Sequence, residues 1–199
     1  MKKTLLAAAV LCTCFASQAF AQDKNFEGFS VGINANSVRT STDASGATFT
    51  ASASKTSSNA SLQANYGFAL SDSFVLGVGA TVGLGDLDAG STTVLGLPVS
   101  LKSKNLYAIN VEPGYLVSNT TVAYAKIAYQ SMKGEVQMTG GGTQDFHGTG
   151  YGLGVRTMLD KNLYLQFEAS QVDYNAASIS GVSYRPKQTT ASIGIGYRF

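Results

Sequence analysis

Four ionisable residues sit where charge is expensive. Glu112, Lys126, Arg156 and Glu168 each fall on the polar side of a run whose other side is apolar. Two carboxylates and two cations held away from bulk water are costly unless matched, so they are expected to pair with one another. A turn at Ser118-Asn119-Thr120 with Val117 opposite Thr121 sets Glu112 across from Lys126, and Gly114 across from Tyr124. A second turn at Asp160-Lys161-Asn162 with Leu159 opposite Leu163 sets Arg156 across from Gln166 and diagonal to Glu168. One step of register would make Arg156 and Glu168 direct partners. Such a set ties an interior together; alternatively it lines a narrow or gated path for ions. Hydrolysis or acyl transfer would need a nucleophile and a base, usually Ser with His and a carboxylate. His147 is the single histidine, in Asp145-Phe146-His147-Gly148-Thr149, with no Ser beside it. One histidine does not make a metal site. Gly140-Gly141-Gly142 has no Lys-Ser/Thr after it and no helix to cap, so it cannot cradle a phosphate. No catalytic residue, metal or cofactor is expected.

These residues need rigid elements, and the alternation supplies them. Eight segments repeat with period two. They run from Phe29 to Asn36, Ala60 to Phe68, Phe74 to Leu84, Tyr107 to Tyr115, Ala123 to Gln130, Gly150 to Arg156, Leu163 to Ser170, and Thr190 to Phe199. Three connections are turns of a few residues. Between them lie longer ones near residues 40–57, 86–101, 132–148 and 174–188, rich in Ser, Thr, Gly, Ala and Asn and read as exposed loops. In the second of these, Leu95, Leu97, Val99 and Leu101 alternate, as a hairpin continuing outward or an apolar contact surface would.

Composition decides which way the apolar face points. Charged residues are 13% of the chain, about half the usual share, and glycine numbers 22. A water-washed strand face would carry far more charge. Here the polar face is Gly, Ser, Asn, Gln and Tyr with four charges, which suits an interior. A secreted lipocalin-like barrel, apolar inside and wet outside, fits less well. Aromatic placement agrees: Phe68, Phe74, Tyr115, Tyr197 and Phe199 fall by the short turns or the chain end, and Tyr107, Tyr129 and Tyr151 where strands meet the long connections. Two such rings are the interfacial girdles of a barrel in lipid.

The beginning of the chain reads as an export signal. Met1-Lys2-Lys3-Thr4 precedes an apolar run from Leu5 to Phe15 and then Ala19-Phe20-Ala21, a secretory leader cut before Gln22. The run is too short to span a bilayer as a helix. Cys12 and Cys14 lie inside it, with neighbours that fit a lipoprotein site poorly, so residues 22–199 carry no cysteine and no disulfide. Removing Lys2 and Lys3 leaves twelve basic and twelve acidic side chains, which argues against a nucleic-acid partner.

The chain resembles the eight-stranded outer-membrane barrels typified by the transmembrane domain of outer-membrane protein A and by opacity proteins. The residues that carry the likeness are Val111-Glu112-Pro113-Gly114-Tyr115, Ala123-Tyr124-Ala125-Lys126, Gly150-Tyr151-Gly152-Leu153-Gly154-Val155-Arg156 and Gly196-Tyr197-Arg198-Phe199. The ending, with Ser192, Gly194, Tyr197 and Phe199, resembles the insertion signal that the barrel assembly machinery reads. The resemblance implies an all-β fold, an eight-stranded antiparallel up-and-down transmembrane β-barrel (22–199) behind a cleavable signal peptide (1–21). It implies a monomer in the outer membrane among lipid and lipopolysaccharide, with a host or matrix ligand at the loops. Enzymes on this fold modify lipid A, but the deacylase pattern of His followed two residues on by Ser is missing, since Thr149 stands there.

Overall fold

The computed structural model describes residues 26–45, 50–94, 97–137, 143–179 and 182–199. The leader at 1–21 lies outside them, as do Leu95 and Gly140-Gly141-Gly142. Ten strands appear: β1 Gly28–Ser45, β2 Thr50–Ala69, β3 Phe74–Leu84, β4 Leu87–Val94, β5 Leu97–Ser118, β6 Thr121–Gln137, β7 Thr143–Met158, β8 Leu163–Tyr174, β9 Ala177–Ile179 and β10 Val182–Arg198. Eight of them close a barrel in the order β1-β2-β3-β5-β6-β7-β8-β10, every pair antiparallel. β10 returns to β1 along Ser30↔Arg198 to Ser45↔Ser183, so the barrel has no edge. β4 and β9 belong to its outer end.

The apolar face points out. Leu153 is 70% exposed, Ile109 62% and Ile127 60%, while Asn34, Gln63, Asn110 and Gln166 are buried. A surface that apolar has no stable place in water, and in a bilayer it is the side that meets lipid.

The short turns came close to expectation. Arg156 pairs with Gln166, and Leu159 N–H donates to the Leu163 carbonyl at 2.8 Å. The other turn is tighter than expected: Ser118, not Val117, pairs with Thr121, and a bulge at Val117 restores the register Gly114↔Tyr124. Ser118 Oγ accepts from Thr120 N–H at 3.3 Å, a local bond that favours the tighter turn.

The long connections are mostly not loops. For 86–101 the hairpin continuing outward is present as β4 and β5; for the others this is a correction. β1 and β2 remain paired to Ser45↔Thr50, β4 and β5 from Leu87↔Ser103 to Val94↔Leu97, and β6 and β7 to Glu135↔Thr143. Above the lipid-facing belt, the barrel wall divides into two four-stranded sheets, β9-β10-β1-β2 and β4-β5-β6-β7. β2 loses β3 beyond Ala60↔Leu84, and β7 loses β8 beyond Gly148↔Tyr174. Ser and Thr accept extended backbone readily, but polar residues on both faces leave no alternation to read.

Two local features shape this outer part. At Gly85 (φ +86°) the chain turns from β3 into β4 through a left-handed conformation that glycine adopts without strain. A bulge in β5 sets Lys104↔Lys133 above and Tyr107↔Ser131 below, inserting one extra residue. Below it even-numbered β5 residues such as Ala108, Asn110 and Glu112 are buried; above it Ser103 is. The lumen mouth between the sheets is filled by Val38, Leu87, Met132, Phe146, Val172 and Tyr174. The opposite mouth is filled by Phe26, Val75 and Val122, with Leu116 and Met158 against them.

Candidate functional site

The middle of the lumen holds the ionisable residues, and β7 explains how they meet. Its inward face is Gly148, Gly150, Gly152 and Gly154, so side chains on β6 and β8 reach one another across it. Lys126 Nζ lies 2.6 Å from Glu168 Oε2, and Tyr124 Oη donates to the same oxygen at 3.0 Å. Higher up, Gln130 reaches Tyr174 Oη over the same strand.

Lys126 is shared. Its Nζ is also 3.3 Å from Glu112 Oε1, the cross-strand pair that the turn geometry implied. Arg156 differs from expectation. Its guanidinium does not reach Glu168 but crosses the lumen to Glu112 Oε2 at 3.1 Å. Gln166 anchors it from directly opposite, its Oε1 accepting from Arg156 Nε at 2.9 Å and Nη2 at 2.7 Å. The rings of Tyr124 and Tyr164 flank the same guanidinium, each centroid 5.1 Å away, adding cation–π attraction in a desolvated place. The charges therefore run as a chain, Arg156–Glu112–Lys126–Glu168. Glu112, 3% exposed, is its hinge, and Asn110 Nδ2 donates to its Oε1 at 2.9 Å.

Amides extend the chain across the lumen. Gln63 Nε2 donates to Gln166 Oε1 at 2.9 Å, Gln166 Nε2 returns to Gln63 Oε1 at 3.2 Å, and Asn34 Nδ2 donates to that oxygen at 3.1 Å. Matched charges with their remaining lone pairs satisfied are what a buried ionic group needs to persist. The layer forms a septum. A chamber of about 80 Å³ lies on its outer side, bounded by Lys126, Gln166 and Glu168 below and Val38 and Leu87 above. A smaller one of about 30 Å³ lies on the inner side, among Glu112, Arg156, Tyr164 and Phe26. Space of that size holds a few waters.

Sequence reasoning missed Tyr164, Gln63 and Phe26. For Tyr164 a signal existed: its ring lies over Gly196 on the neighbouring strand, where a Cβ would overlap it. Tyr124 does the same over Gly154 of β7. Phe26 carried no pattern; it holds a left-handed φ of 81°, a costly conformation for a bulky side chain.

The remaining candidate residues lie elsewhere. Phe68, Phe74, Tyr107, Tyr115, Tyr129, Tyr151, Tyr197 and Phe199 are all exposed on the outer wall. Phe74 meets Tyr115 edge-on at 5.2 Å, and Tyr197 meets Phe199 at 5.1 Å. Ser192 Oγ donates to the Glu168 carbonyl at 3.4 Å, Gly194 packs under Asn34, and Phe199 N–H donates to the Phe29 carbonyl at 2.9 Å. His147 stacks on Tyr129 with ring centroids 6.0 Å apart. The fold sets Ser131 across from it, yet the His147 Nδ1 atom has no hydrogen-bond partner. On the outer sheets, Glu135 lies 2.6 Å from Lys104 and, by hydrogen bond and charge, raises the lysine above its usual range.

Comparison with known proteins agrees with this geometry. The attachment invasion locus protein Ail of Yersinia pestis superposes with a TM-score of 0.51 at 16% identity, over 87% of this chain and 99% of that one. Neisserial surface protein A gives 0.51 at 17% identity, over 87% and 98%. The outer membrane protein OprG of Pseudomonas aeruginosa gives 0.51 at 12%, over 90% and 99%. At these identities the likeness is one of fold. No curated protein matches the chain. The family described as outer membrane protein beta-barrel domain matches residues 6–199. With its closed wall, apolar exterior and plugged polar lumen, the chain belongs to that family, and its place is the outer membrane.

Proposed function

We propose that this is a non-catalytic surface barrel, exported by the leader at 1–21, whose outer sheets contribute to envelope structure and to adhesion or recognition. One observation carries the reading: the septum and the apolar clusters at both mouths narrow the lumen, while the hairpins continue beyond the lipid belt as packed β-structure. A rigid projecting surface loses little conformational entropy on binding, which favours recognition. Exchanging residues 86–101 or 132–148 for short turns is expected to abolish binding to cells or matrix, with heat-modifiable gel mobility of the barrel retained. Binding that survives every such exchange would overturn the adhesion reading.

A second reading rests on the two chambers that flank the septum. Rearrangement of Lys126 or Arg156 would join them into a narrow path. On that reading the unaltered protein conducts measurably in planar bilayers and Glu112→Ala changes the conductance. An impermeable unaltered barrel excludes the pore.

A further inference from the structure

The two mouths of the barrel are filled by different kinds of structure. At the outer mouth the filling side chains belong to strands of the wall, among them Met132, Phe146 and Val172. At the inner mouth the central one is Phe26, which precedes β1 and lies in no strand. It is 7% exposed, in a cup of Val75 on β3 and Val122 on β6, with Leu116 and Met158 beside them. Behind it lies the inner chamber, where Glu112 and Arg156 meet.

The seat is shaped for this segment. Gly67 on β2 lies under the backbone of Phe26, and a Cβ there would overlap the Phe26 carbonyl oxygen. Gly28, with φ +94°, joins the segment to β1 and gives it a turning point that glycine adopts without strain. Arg198 Nη1 donates to the Glu27 carbonyl at 3.4 Å, a long bond that ties the segment loosely to the end of β10.

Two features oppose closure. Phe26 has its left-handed φ of 81°, which a bulky residue keeps only where its surroundings impose it. Asn65 lines the same chamber and is 5% exposed, and its Nδ2 has no hydrogen-bond partner among the described residues. Water entering an open chamber would satisfy that donor. Closing gains the burial of one phenyl ring, which is of the same order as either cost. A balance that near to even belongs to a latch rather than to a fixed part of a core.

We propose that Phe26 and Glu27, turning at Gly28, form a hinged cap on the inner mouth. Seated, it shields the Glu112–Arg156 end of the septum; released, it opens the inner chamber to water. The septum stays intact in both positions, so the cap stands whether or not the lumen conducts.

With the leader removed, residues 22–199 hold no cysteine, so a single introduced thiol reports on one place. Ser30→Cys sets it in the inner chamber and Ser61→Cys in the outer one. Each protein, refolded in detergent, is reacted with a small charged methanethiosulfonate, and labelling is followed by mass spectrometry. Ser30→Cys is expected to label completely, but far more slowly than Ser118→Cys on the exposed turn. Adding Gly67→Ala crowds the seat while keeping the ring, and is expected to speed that labelling on the order of tenfold. Phe26→Ala is expected to speed it at least as much. Neither should alter the rate at Ser61→Cys. A Ser30→Cys thiol that never reacts, or that reacts as fast as Ser118→Cys, overturns the cap. So does an unchanged rate with either added substitution, or an equal rise at Ser61→Cys. Heat-modifiable mobility confirms that each variant has folded.

Discussion

Below the ring of Tyr107, Tyr129 and Tyr151 each strand separates lipid from a packed polar lumen; above it the same strands separate water from a packed mouth. The lower wall is therefore strictly alternating, with apolar residues out and amides, glycines and four charges in. The upper sheets keep the pairing but carry Ser, Thr, Lys and Asp on the outward side. Hydrogen bonding of the backbone is continuous across the boundary, so what changes is the solvent and not the fold. Below, a substitution is judged by lipid or by a low-dielectric interior. Above, it is judged by water.

Four substitutions test that contrast, from large to small. Glu112→Ala removes the carboxylate shared by Arg156 and Lys126, leaving the buried Arg156 without an acidic partner and Lys126 with Glu168 alone. About 3–5 kcal/mol of unfolding free energy should be lost, measured by urea unfolding in vesicles. A cost near zero would mean that water already reaches the septum. Next, Val111 lies midway between Tyr107 and Tyr115 on the lipid side of β5, whereas Ser54 faces outward on the upper part of β2. Val111→Arg should cost about 2–4 kcal/mol and Ser54→Arg no more than about 0.5 kcal/mol. Equal costs at the two positions would erase the boundary. Smallest, Tyr151→Ala removes a ring at the interface and its bond from Gln171 Nε2 at 2.6 Å. A loss of about 1 kcal/mol is expected; none at all would show that the tyrosines do not anchor the barrel.

The same contrast explains what could be read from the sequence. Lipid on one side writes period two into the chain, so β3 was legible from Phe74 to Leu84, its full observed length. The upper parts of β1, β2 and β6 were read as loops because both of their faces tolerate polar residues. Within the lumen, register arithmetic from the turns was enough to set Arg156 across from Gln166. It could not choose the partner of Arg156, since Glu112 comes from two strands away and a long side chain is not confined to its own hairpin. The glycine face of β7 was visible as Gly148-x-Gly150-x-Gly152-x-Gly154; its meaning, that residues on the flanking strands touch, needed three dimensions.

The extra residue at Asn105-Leu106 has a bearing on any attempt to re-engineer this scaffold. It works as a phase shift in β5: a peptide inserted above Lys104 must be written with the opposite odd–even frame from one inserted below Tyr107.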